Sequence, residues 1–166
     1  MEENMKIKKI ILITLMATSL TGCTEKGTQM LFENNTATTS DYYSDIALSS
    51  TEYSIFLEQA ASKSINDIIS VSSNLKTFKS GSITEEQLVS MCKSTIKELQ
   101  ECYDELKHKK PATGYEDNRE KAMQSLIDCV DELNYIIENN NKEEFDIEHS
   151  VNVLSAQSRI LTTVTK

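Results

Sequence analysis

The chain has 166 residues, enough for one domain and too few for several. Its net charge of −9 argues against nucleic acid as a partner, because phosphate backbones are met by cationic patches. One proline, four glycines and no tryptophan leave few turn points, so long helices with short connections are expected and a strand-rich fold is not.

Lys6, Lys8 and Lys9 give the chain a positive start, and an apolar run over residues 10–20 follows, interrupted by Thr14, Thr18 and Ser19. That run falls short of the roughly 20 apolar residues that span a bilayer. It suits the hydrophobic region of a secretory signal peptide, about 7–15 residues. Leu20-Thr21-Gly22-Cys23 closes it, and this tetrapeptide resembles the bacterial lipobox. The resemblance implies that the Cys23 thiol receives a diacylglyceryl group and that the chain is cut before it. Residues 1–22 are then a lipoprotein signal peptide, and Cys23 is the lipid-attachment site. A cleaved signal peptide followed by an incidental cysteine is the competing reading.

An acyl anchor gains about 0.8 kcal/mol per buried methylene, so the lipid bilayer becomes a partner through acylated Cys23. The expected location is the extracytoplasmic face of the cell membrane. Loss of residues 1–22, with three lysines and two glutamates, takes the net charge from −9 to −10. Such a domain is repelled by anionic head groups and stands off the membrane. Residues 23–40 form the lipidated N-terminus and a polar tether rich in Thr and Asn. A random coil of this length reaches about 20–25 Å root-mean-square. Met30-Leu31-Phe32 is a small apolar island within it.

Residues 41–166 are expected to form the helical domain. From residue 41 to about residue 78 the pattern predicts one long helix or two collinear ones. Tyr53, Leu57, Ala60, Ser64, Ile68, Val71, Leu75 and Phe78 recur at spacings of four and three, with Phe56, Ile65 and Ile69 widening the stripe. Ser49-Ser50-Thr51 can cap a new start within this run, and Gly81 ends it.

Thr84-Glu85-Glu86-Gln87 reads as a capping box. The helix it opens carries Leu88, Cys92, Thr95, Leu99, Cys102 and Leu106, a heptad seam. Lys107, His108, Lys109 and Lys110 suit the negative end of its dipole, and Pro111 stops it. Thr113-Gly114-Tyr115-Glu116 reads as a second capping box. The third helix shows Ala122, Leu126, Cys129, Leu133 and Ile136, flanked by Met123, Ile127, Val130 and Ile137. Asn141 and Glu144 are expected to cap the last helix, whose stripe is Ile147, Val151, Leu154, Ser158 and Leu161. Phe145, Val153, Ile160 and Val164 lie beside it. The expected fold class is all-α: an antiparallel up-down four-helix bundle with a long first helix.

The segments SSTEYSIFLEQ, KKPATGYEDNREKAM and the closing LTTV resemble a group of small helical lipoproteins of Gram-positive bacteria. The resemblance extends loosely over residues 49–164. It implies the helical architecture and carries no catalytic residues.

Cys92, Cys102 and Cys129 all fall on apolar seams. Cys92 and Cys102 are about 15 Å apart along one helix at 1.5 Å per residue and cannot bond to each other. Cys129 falls opposite Thr95 or Ile96 on the neighbouring helix, so a disulfide with Cys92 is within reach in an exported protein. Three buried thiols acting as small hydrophobes are the favoured alternative. Glu105-x-x-His108 and Asp146-x-x-His149 have the carboxylate–imidazole spacing seen in di-iron bundles. Both pairs fall on helix flanks and at opposite ends of the expected bundle, so no shared metal is expected. Ser64, Thr95 and Ser158 are polar seam positions that line a small pocket if they meet, although such hydroxyls more often bond to their own helix carbonyls.

Tyr53, Tyr103, Tyr115 and Tyr135 read as packing or rim, while Tyr42-Tyr43 is the best candidate for an exposed contact surface. No phosphate loop, nucleophile elbow, glycine-rich dinucleotide turn or HExxH is present, so no enzymatic activity, cofactor or metal is expected. Protein contact at the cell envelope is the first functional expectation. Binding of a solute or peptide in the bundle interior is the alternative.

Overall fold

The computed structural model describes residues 48–165. They form four helices: α1 (Ser50–Lys79), α2 (Glu85–His108), α3 (Glu116–Asn139) and α4 (Ile147–Thr163). Among the described residues there is no strand.

Of the two expectations for the first run, the new start capped at Ser49-Ser50-Thr51 is the one that forms, with Ser49 as the cap. Ser49 is extended (φ −64°, ψ 162°), and its hydroxyl accepts from the Glu52 amide while the Glu52 carboxylate accepts from the Ser49 amide. That reciprocal pair fixes the start of α1 at Ser50. Residues 41–47, with Tyr42 and Tyr43, lie outside the described residues. At the other end Gly81 takes φ +72°. Its amide donates to the Phe78 carbonyl at 2.9 Å and the Ser82 amide donates to Thr77 at 3.1 Å. This is the paired closure that favours glycine just past a helix end.

Thr84 and Gln87 cap α2 as expected. The expected box at Thr113 does not form. Thr113 and Gly114 lie in a turn closed by Tyr115 N–H donating to the Ala112 carbonyl at 3.0 Å, with Gly114 at φ +91°. The N-cap of α3 is Tyr115, which provides no side-chain cap. The Glu116 carboxylate instead accepts from the Gly114 amide at 2.7 Å. The start of α4 is likewise shifted. Asn139–Phe145 is taken up by turn bonds from Lys142 to Asn139 and from Phe145 to Lys142. Asp146, not Asn141, is the N-cap, accepting from the His149 amide at 3.0 Å.

Each helix packs on two neighbours. α1 meets α2 and α4, α3 meets α2 and α4, and α1 and α3 touch more lightly across the middle. All six seam residues of α2 and all five of α3 are buried. Ile69, expected to widen the α1 stripe, is instead 54% exposed, and Ile160 of α4 is 39% exposed. Ala61 and Ser72 are buried on α1, so the buried stripe turns towards them and away from Ile69.

Specific bonds tie the ends together. Asn118 at the start of α3 donates to the Val164 carbonyl just past α4 at 2.9 Å. Asn141 after α3 donates to Glu85 at the start of α2 at 3.3 Å. The rings of Tyr53 and Tyr115 lie 5.6 Å apart.

Candidate functional site

Cys23, the one residue with an expected chemical fate, lies outside the described residues, as do Met30-Leu31-Phe32. Within them, Cys92, Cys102 and Cys129 are free and buried. The Cys92–Cys129 disulfide therefore does not form, and the thiols pack as small apolar groups. Burial pushes Cys92 and Cys129 up to about 12. Cys102 is raised as well, chiefly by burial and partly opposed by its hydrogen bond with Ser64. A thiol held protonated in this way is a poor nucleophile.

Two of the three seam hydroxyls follow the local pattern. Ser64 Oγ donates to the Ala60 carbonyl one turn back at 3.0 Å, and Ser158 Oγ donates to Leu154 at 3.0 Å. Ser64 and Thr95 are buried, whereas Ser158 borders an open groove between α1 and α4 with Ile69, Ser72, Ser73, Lys76, Val151 and Ser155. The three hydroxyls do not build an interior pocket. His108 is exposed at the end of α2 and His149 in the first turn of α4. Among the described residues, no three His, Cys, Asp or Glu side chains stand where they could share a metal ion. No helix among them is long and apolar enough to cross a membrane.

The arrangement that sequence reasoning missed lies between α3 and α4. A groove of about 410 Å³ is lined by Asp128, Asp131, Glu132 and Tyr135 from α3, and by His149, Val153 and Gln157 from α4. The four α3 residues are spaced i, i+3, i+4 and i+7, which places them on one helix face. Gln157 knits the floor: it accepts from Ser125 Oγ at 2.9 Å and donates to Asp128 Oδ2 at 3.2 Å. Asp128 Oδ1 accepts from Gln124 at 2.8 Å. The Tyr135 ring is 6.1 Å from that of Phe145, which holds it at the rim.

Glu132 is the unusual member. It is only 9% exposed, and its Oε1 is buried without a hydrogen-bond partner. Glu132 flanks the seam, three residues after Cys129 and four before Ile136, on the side that α4 covers. A carboxylate is therefore buried beside the apolar seam, next to Leu133. His149 reaches this groove while Asp146, its sequence partner, is spent on capping.

Comparison of the chain with protein-family models, with characterised proteins and with solved structures finds no match.

Proposed function

We propose that the chain is a membrane-anchored extracytoplasmic lipoprotein whose helical domain acts by protein contact at the cell envelope. The anchor reading rests on Lys6, Lys8 and Lys9, the apolar run of residues 10–20 and the lipobox-like Leu20-Thr21-Gly22-Cys23. Its likeness to the small helical lipoproteins of Gram-positive bacteria points the same way. The domain is an antiparallel up-down-up-down bundle in this reading. Support comes from the Asn118–Val164 and Asn141–Glu85 bonds, each of which joins the start of one helix to the end of another.

One observation carries the contact reading: large apolar side chains occupy the interior. Leu57, Ile68, Leu88, Leu99, Leu126, Leu133, Leu154 and Leu161 are all at most 1% exposed. Recognition then falls to the outer faces. The acidic body is kept off anionic head groups by charge and kept near them by lipid.

Fractionation of cells expressing Cys23→Ser tests the anchor. The variant should move to the soluble fraction, and a variant that stays with the membrane as before would falsify the reading. Crosslinking in cells followed by mass spectrometry tests the contact. A reproducible envelope protein captured by the anchored form is the expected result, and capture of none overturns it.

A further inference from the structure

Among the described residues, the α3–α4 groove gathers three carboxylates and no ion pair. Asp128 has donors in Gln124 and Gln157. Asp131 and Glu132 receive no ion pair, the ion pairs among the described residues being Lys63–Glu98 and Lys97–Glu101. Glu132 is more than nine-tenths buried, lines the groove, and has an oxygen with no donor. A buried carboxylate oxygen in that state is unfavourable unless a donor reaches it, and a cationic donor answers its charge as well.

The walls describe the donor. Tyr135, 40% exposed, presents a ring beside the carboxylates, and Val153 faces it from α4. An aromatic face and an aliphatic wall suit a cation carried on an alkyl stem: the stem lies on the apolar surface and the head meets the carboxylates. A bare metal ion has no use for such walls, and three ligating groups do not converge here among the described residues. We propose that this groove is a receptor site for an alkylammonium or guanidinium group, supplied by a lysine or arginine side chain of a protein partner. The choice of a protein source rests on the contact function proposed above. The cation chemistry rests on the groove alone.

The test uses the full chain carrying Cys23→Ser. Nuclear magnetic resonance follows its titration with a short lysine- and arginine-containing peptide, with spermidine and with calcium chloride. The expected result is saturable peptide binding that shifts Tyr135, Val153 and His149 resonances. Glu132→Gln should weaken it at least tenfold with the helical circular dichroism retained, Asp131→Asn should weaken it less, and Glu98→Gln, remote from the groove, should leave it unchanged. Peptide binding to Glu132→Gln as tight as to its parent overturns the site. Binding of calcium without binding of the peptide overturns the cation class. Spermidine binding more tightly than the peptide overturns the protein source and assigns the groove to free polyamines. None of these readouts depends on the membrane anchor, so failure here and failure of the Cys23→Ser fractionation are separate results.

Discussion

Arg119 in the first turn of α3 donates its Nε to the carbonyl of Leu106 at 2.8 Å, and its Nη2 donates to the neighbouring Lys107 carbonyl at 3.0 Å. One guanidinium therefore satisfies two of the carbonyls that α2 leaves without a helical partner. It also brings positive charge to the negative end of that helix. Hydrogen bonds to charged groups contribute about 1.5–3 kcal/mol each, and the half-buried position of Arg119 leaves water as a partial competitor. Arg119→Ala should therefore destabilise the domain by about 2 kcal/mol in urea unfolding. Arg119→Lys should restore only part of this, because a single ammonium cannot reproduce the planar fork. An unchanged unfolding midpoint for Arg119→Ala would refute the role.

The helix starts offer a paired comparison. Ser49 and Thr84 accept amide hydrogen bonds within complete capping boxes, whereas Thr113 makes no cap to α3. Ser49→Ala and Thr84→Ala should each cost about 1 kcal/mol. Thr113→Ala should stay within about 0.5 kcal/mol of the parent. Thermal or urea unfolding of the three variants decides it, and a loss at Thr113 equal to that at Thr84 contradicts the assigned α3 start.

The same residues show where sequence pattern stops being sufficient. The α2 seam and both of its ends were legible, since a 3–4 repeat, a capping box and a following proline are local signals that agree. At Thr113 and Asn141 the local signal was present and lost to competition. Gly114 at φ +91° turns the chain before a box can close, and Asp146 lies nearer the first buried turn of α4. The α3–α4 groove was harder still. Asp128, Asp131, Glu132 and Tyr135 share a face in the sequence, but an acidic helix face is ordinarily solvated. Only the packing of α4 over Glu132 distinguishes this one.

The three buried thiols give a chemical prediction. With Cys92 and Cys129 pushed up to about 12 and Cys102 raised, the thiolate fraction at pH 8 is very small. Burial blocks the reagent as well. The Cys23→Ser chain should show almost no reaction with a disulfide reagent when native and three reactive thiols in denaturant. Reaction of even one thiol at its unfolded rate under native conditions would show that burial at that seam position is not maintained.

The last prediction concerns pH. Asp67 lies on α1 beside the Lys63–Glu98 pair, which spans α1 and α2 at 2.7 Å. Asp67 Oδ2 is buried without a partner, and Asp67 is raised above its ordinary 3.8, first by burial and then by the negative charge of Glu98, with Lys63 opposing. A carboxyl raised in the folded state favours folding most below its unfolded value, and that contribution is lost as pH rises through the folded value. At neutral pH the ionised Asp67 therefore weighs against the fold. Asp67→Asn keeps the shape and removes the charge. Its melting temperature should exceed the parent's at pH 7, and the gap should shrink towards pH 3 as the parent's carboxyl takes up its proton. A gap that widens on acidification would mean that Asp67 is held ionised by Lys63, reversing the balance between desolvation and pairing at this interface.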